Sequence, residues 1–338
     1  MKILMQNRSS FPRSLAGDSV QLLKTHDYLQ QLGVTMAVSS ESDPDLSGFD
    51  LVHLFNIMPV EETYQFYLNA KRQQKKIVLS TVFWDPEEYL LRSKAMDQFG
   101  EWWRRTMPLR TEVLNGVDLI LPNSRMEEKV LEKYFQFLPK SMIVPNAADR
   151  IFADAHPGRF RLRYHPPEEF VLAVGRVCKR KNQLPLVEVA ASLRMPLVII
   201  GPLNDTEYYR SCRKASAGSR TMFIDALGQR DLASAYAAAK VHALVSWYDT
   251  PGLVSLEAGL AGCRLVTTDR GCAREYLGDS AFYCDPGDPG SIRQALQSAW
   301  ISVPDQALKG RILTNYLWDN TALATYNAYR SLVEENTP

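Results

Sequence analysis

At 338 residues, 46% of them hydrophobic, the chain is longer than one hydrophobic core organises, so two domains of roughly 150 residues each are expected. Its 39 basic and 38 acidic side chains leave a formal charge of +1, which excludes a global field drawing it to nucleic acid or a bilayer, so any basic site must be local. Cys178, Cys212, Cys263, Cys272 and Cys284 form no C-x-x-C pair and are odd in number, which argues for reduced thiols and against a disulfide frame or a zinc site.

Residues 2–6 open the chain as a short apolar run, read as a buried strand. The run is too short for a signal-peptide core, and no later run approaches a spanning helix. A cytoplasmic protein is therefore expected, with a peripheral place at the inner face of the membrane left open. Runs 34–38, 51–55, 77–80 and 119–122 continue the strand pattern. Between them lie amphipathic segments, of which 18–32 is the clearest: Asp18 is placed to cap its first turn, Leu22, His26 and Leu29 share a face, and Gly33 ends it. Gly17 turns the chain into that helix, whose N-terminal amides suit an anion.

After Pro157, Pro166 and Pro167 the alternation restarts with strands at 170–174, 197–200, 222–224, 241–245 and 264–267. The expected fold class is α/β, with two doubly wound, Rossmann-like domains facing each other across a cleft. The first is expected over 1–165 with a returning helix at 319–338, the second over 166–318. Such sheets present functional loops at the carboxyl ends of their strands, which singles out the residues after Val174, Ile200, Val245 and Thr267.

Two of those loops carry chemistry. Gly175-Arg176-Val177-Cys178-Lys179-Arg180-Lys181-Asn182 is a tight turn loaded with cations where a helix should start. Arg176 can fork onto two phosphate oxygens and Lys181 adds a mobile point charge, although such a loop standing alone would more often be a solvated basic turn. The second loop holds Asp249, then Pro251-Gly252-Leu253-Val254, and Glu257 two turns into a helix. Gly252 lets backbone approach a ligand, the amides of Leu253 and Val254 open a helix toward it, and the two carboxylates suit paired hydroxyls of a sugar or ribose. No G-x-G-x-x-G, G-x-x-x-x-G-K-[ST], H-E-x-x-H or G-x-S-x-G occurs, so dehydrogenase, P-loop, zincin and hydrolase readings lack support.

Together these residues resemble the family 4 glycosyltransferases, retaining enzymes of GT-B fold among the glycosyltransferases group 1. The likeness rests on Gly175-Arg176, Lys181 five residues on, and Asp249 and Glu257 flanking Pro251-Gly252-Leu253. Val144-Pro145-Asn146-Ala147-Ala148-Asp149 and Thr268-Asp269-Arg270-Gly271-Cys272-Ala273-Arg274-Glu275 are similar to two further family segments, and Gly17-Asp18 to its N-terminal glycine-rich loop. The resemblance implies Arg176 and Lys181 as diphosphate ligands, Glu257 as the ribose ligand, and Asp249 as the acid near the donor sugar. It also implies a UDP- or GDP-sugar donor, no required cofactor or metal, and a glycan, lipid-linked or small-molecule acceptor in surface polysaccharide or glycoconjugate synthesis.

Two positions depart from the pattern: the first acid is Asp249 rather than Glu, and Phe83-Trp84-Asp85 stands where many members carry His-Asp. His53 and Asp85 are candidates to replace that imidazole, set against a core histidine and a helix cap. Trp102 and Trp103 beside Arg104, Arg105 and Arg110 suit an anionic membrane surface, set against an ordinary helix burying one indole. A nucleotide-sugar epimerase and a catalytically silent sugar-nucleotide-binding protein are the competing functions.

Overall fold

Short aliphatic runs without polar alternation form strands that need cover on both faces, and helices on either side of two parallel sheets supply it. The computed structural model describes residues 1–9, 17–93 and 98–334. It divides into a first unit, Met1–Ala147 with Trp318–Pro338, and a second, Ala148–Leu317.

In the first unit β1 (Lys2–Gln6), β2 (Thr35–Ser39), β3 (Leu51–Phe55), β4 (Lys76–Ser80), β5 (Leu119–Ile120) and β6 (Lys140–Ser141) lie in the order β2-β1-β3-β4-β5-β6. All neighbours are parallel, with Ile3 opposite both Met36 and Leu51. Its helices are α1 (Gly17–Gln31), α2 (Val60–Arg72), α3 (Glu87–Ser93), α4 (Gln98–Gly116), α5 (Arg125–Tyr134) and α14 (Trp318–Glu334), the last returning to this unit after the second is complete. Leu22 and Leu29 of α1 and Ala322, Tyr329 and Leu332 of α14 pack with Ile3, Met5 and Phe55. A separate core joins Phe66 of α2, Trp103 and Val113 of α4 and Leu131 of α5 to Val52, Leu54, Ile77 and Leu79.

The second unit contains β7 (Val171–Val174), β8 (Leu197–Ile200), β9 (Thr221–Ile224), β10 (Val241–Leu244), β11 (Arg264–Thr268) and β12 (Ala281–Cys284), again parallel, in the order β12-β11-β10-β7-β8-β9. Its helices are α6 (Gly158–Tyr164), α7 (Gln183–Ser192), α8 (Thr206–Ala215), α9 (Gln229–Ala238), α10 (Leu253–Leu260), α11 (Ala273–Leu277), α12 (Pro289–Ile301) and α13 (Gln306–Asn315).

The units part between Ala147 and Ala148, earlier than the expected 165/166. The proline-bearing stretch is not a free linker. Within it α6 packs on α9, the Phe160 amide donates to Ser234 Oγ at 2.9 Å, and Arg161 donates to the carbonyls of Glu168 and Ala238. The return falls at Leu317/Trp318, where the Ala148 amide donates to the Tyr316 carbonyl at 2.9 Å.

The aromatic and basic cluster of α4 is corrected in part. Arg104 and Arg105 are exposed, but Trp103 is 6% exposed and Arg110 is fully buried. The Arg110 guanidinium donates to the carbonyls of Ile57 (2.9 Å) and Met58 (2.5 Å) and to Thr106 Oγ1 (2.6 Å), and lies 4.9 and 4.3 Å from the ring centres of Trp102 and Trp103. It pins α4 to the chain after β3. Among the described residues no helix is long and apolar enough to cross a membrane.

Candidate functional site

In the second sheet the strand order reverses between β7 and β10, and in the first between β1 and β3. At such a switch point the crossovers run to opposite faces, leaving a crevice outside the carboxyl ends of the two strands. The cationic loop follows β7 and the Asp249 loop follows β10, so both lie at the switch point of the second sheet.

The two loops are sewn together. The Trp247 amide donates to the Arg180 carbonyl at 3.0 Å, Arg180 Nη1 to the Tyr248 carbonyl at 2.6 Å, and Lys181 Nζ to Asp249 Oδ1 at 2.6 Å. Asn182, at φ 58°, turns the chain into α7 and donates its amide to the carbonyls of Val245 (3.1 Å) and Pro286 (2.7 Å), reaching the ends of β10 and β12 at once. Asparagine tolerates that left-handed backbone better than most residues. Arg180 and Asn182 were not singled out in the sequence, although both stand in the quoted motif; their work is to shape the loops.

Lys181 and Asp249 have side chains only 12% exposed. Burial pushes the Lys181 ammonium down, while burial of Asp249 is outweighed by Lys181 and Arg180, which hold its carboxyl below the ordinary range. Arg176 is half-buried at the same loop, and among the described residues its guanidinium makes no hydrogen bond or ion pair.

Gly252 precedes α10 at φ 83°, and a Cβ there would meet Leu244 Cδ2 at 2.5 Å. The tight turn brings the first amides of α10, those of Leu253 and Val254, to the crevice end of β10, where no carbonyl of the helix can satisfy them. Glu257, half-buried further along α10, accepts from Tyr236 Oη at 2.9 Å. Tyr236 also escaped notice in the sequence, because nothing local links a tyrosine of α9 to a carboxylate 21 residues away.

In the first unit Gly17 opens α1, but a Cβ there would meet nothing, and residues 10–16 of the expected loop lie outside the described residues. Asp18, expected as a cap, accepts from the Ser19 amide of the first turn at 2.9 Å through Oδ1, and its Oδ2 accepts from Arg8 Nε (3.3 Å) and Asn56 Nδ2 (3.0 Å), tying the ends of β1 and β3. His53 is enclosed within β3, 1% exposed, with Tyr329 Oη at 2.6 Å from Nδ1 and Ser80 Oγ at 2.9 Å from Nε2. Burial lowers its pKa to about 3, so it is a neutral core histidine and not a replacement active-site imidazole. Asp85 accepts from the Glu87 amide at the start of α3, from Lys133 Nζ at 2.8 Å and from Tyr134 Oη at 2.6 Å, an arrangement that secures α3 to α5. Burial raises its pKa, but these bonds outweigh burial and leave it lowered. Among the described residues no group of three His, Cys, Asp or Glu side chains is placed to hold a metal ion.

Comparison with solved structures shows the fold. Sucrose-phosphate synthase from Thermosynechococcus elongatus superposes with a TM-score of 0.84 at 17% identity, covering 99% of this chain and 100% of that one. HepE from Anabaena, in complex with UDP-glucose, superposes with a TM-score of 0.71 at 15% identity over 100% of both chains. The architecture is thus GT-B, built from two parallel six-stranded sheets with flanking helices.

Among curated sequences, O-antigen chain mannosyltransferase B of Escherichia coli is 25% identical over 176 residues, 48% of this chain and 46% of that protein. The D-inositol 3-phosphate glycosyltransferase of Paenarthrobacter aurescens is 24% identical over 250 residues, 68% of this chain and 61% of that protein. The chain thus spans between about half and three-fifths of these relatives. Residues 159–304, most of the second unit, match the family described as glycosyl transferases group 1.

Proposed function

We propose that the protein is a retaining glycosyltransferase that takes a sugar from a UDP- or GDP-sugar held by its second unit. Arg176 and Lys181 bind the diphosphate, the amides of Leu253 and Val254 above Gly252 add neutral donors, Glu257 takes the ribose hydroxyls, and Asp249 lies near the donor sugar. The observation that carries this reading is the joining of Lys181 Nζ to Asp249 Oδ1, 2.6 Å apart, at the β7/β10 switch point beside the start of α10. A cation, a carboxylate and open helix amides in one crevice match the alternation of anionic and hydroxylic groups along a nucleotide sugar.

In this reading the bond from the anomeric carbon to the diphosphate oxygen breaks, and charge grows on the departing diphosphate. Arg176 and Lys181 stabilise that charge more than they stabilise the ground state. The acceptor oxygen bonds the anomeric carbon on the face the diphosphate leaves, and the leaving phosphate takes the acceptor proton. No enzyme nucleophile is required, and the retained configuration follows.

The first unit is assigned the acceptor, a glycan, a lipid-linked sugar or a small molecule of surface polysaccharide or glycoconjugate synthesis. The five free cysteines support a cytoplasmic setting. Incubating the purified protein with UDP-glucose and GDP-mannose tests the activity. Release of UDP or GDP from one donor, with the α-configured sugar as first product by NMR, is expected. A folded protein that binds nucleotide but releases none is a silent binder, and a β-configured product excludes retention.

A further inference from the structure

Tyr236 is fully buried in α9, its ring set edge-on to Phe152 (5.7 Å, 75°) and to His242 (5.6 Å, 70°). Its hydroxyl is the one polar group of this side chain, and it donates to Glu257 Oε2 at 2.9 Å. A phenol inside a hydrophobic core normally serves a partner, since burying its hydroxyl without one is costly. Here the partner is not another core group. It is a half-buried carboxylate on α10, the helix whose first turn opens at the switch point.

The ring contacts fix where the hydroxyl can be. Two edge-to-face neighbours and the surrounding core of Phe152, Leu256 and Leu260 leave the phenol little freedom, so the rigidity of the core is passed to one oxygen of Glu257. A carboxylate already held by a fixed donor has less rotamer freedom to lose when a ligand binds.

We propose that Tyr236 is a positioning residue for nucleotide binding: it fixes the Glu257 carboxylate in the orientation that receives the ribose hydroxyls. This rests on the assignment of Glu257 to the ribose. Tyr236 touches no ligand itself; it acts through the carboxylate it holds. Because that contact is made alike in ground and transition states, Tyr236 governs nucleotide affinity and KM rather than kcat.

The test compares calorimetric affinities for whichever of UDP or GDP binds and for its 2′,3′-dideoxy analogue, in the wild type, Tyr236→Phe, Glu257→Gln and the double variant. Tyr236→Phe keeps the ring and its contacts, and Glu257→Gln keeps the side-chain size, so both fold; thermal melts check this. The expected result is a loss of about tenfold in affinity for the ribonucleotide in Tyr236→Phe, with binding of the dideoxy analogue unchanged. Glu257→Gln abolishes the preference, and the double variant is no worse than Glu257→Gln alone. If Glu257→Gln loses the preference while Tyr236→Phe keeps it, the positioning role is overturned and the ribose assignment stands. If Glu257→Gln also keeps it, the ribose assignment falls and the positioning role with it. Equal losses for both nucleotides in Tyr236→Phe mean a merely structural role.

Discussion

Lys181 Nζ and Asp249 Oδ1 lie 2.6 Å apart although 68 residues separate them, and each side chain is 12% exposed. Two buried charges meet only because β7 and β10 are neighbours at the point where the sheet reverses its order. An ammonium has three donors, so Lys181 can hold Asp249 and still offer a hydrogen to a phosphate oxygen.

Asp249→Asn leaves the Lys181 charge buried without its counterion and lowers stability by about 3 kcal/mol, as breaking buried pairs does. The double variant Lys181→Met/Asp249→Asn loses less, and urea melts of the three proteins check this. Because the Asp249 pKa lies below its ordinary 3.8, its contribution is fully present above that value and is lost as pH falls through the depressed one. A single variant no less stable than the double one contradicts the pair's role.

Arg176→Ala removes a guanidinium with no partner among the described residues, so stability should move by less than about 0.5 kcal/mol. Turnover is expected to fall about a hundredfold or more, and nucleotide affinity by much less, because charge on the diphosphate grows in the transition state. Steady-state kinetics beside calorimetry check the split; equal losses in both remove Arg176 from transition-state stabilisation.

Gly252→Ala places a methyl 2.5 Å from Leu244 Cδ2 on a residue at φ 83°. A cost of about 2 kcal/mol is expected from the strained backbone, with weakened nucleotide binding as the start of α10 shifts. Thermal denaturation and titration read the two effects separately.

Glu127 is buried, accepting from Thr81 Oγ1 (2.5 Å), the Phe83 amide (2.7 Å) and the Asn123 amide (2.8 Å), and so holding the turn at Val82, which has φ 47°. Burial raises its pKa from 4.5 to about 6 against those bonds. A carboxyl whose folded pKa is raised binds more protons in the folded state, so its contribution is full below about 4.5 and is lost as pH rises to about 6. The stability of the wild type relative to Glu127→Gln should therefore be about 1.5 kcal/mol greater at pH 4.5 than at pH 7. Melts at the two pH values check this, and a pH-independent difference contradicts it.

The strands were legible because burial on both faces of a parallel sheet demands unbroken apolar runs. Residues 2–6 and 51–55 are β1 and β3 as read, and 34–38 and 119–122 shift or shorten only at their ends. The cationic and Pro-Gly loops were legible because each follows such a run. The first domain boundary was not: prolines at 157, 166 and 167 suggest a linker, but α6 between them packs on α9 through Phe160. Arg110 and Tyr236 were equally hidden, since their partners, the carbonyls after β3 and the carboxylate of Glu257, are set by tertiary contact rather than by spacing.

The most direct test of donor binding by the second unit is calorimetric titration of the protein with UDP, GDP and ADP, repeated on Arg176→Ala and Glu257→Ala. Selective binding of UDP or GDP, weakened in both variants and more in Glu257→Ala than in Arg176→Ala, is the predicted result. A folded protein that binds none of the three at millimolar concentration, or binds unchanged in both variants, contradicts the account.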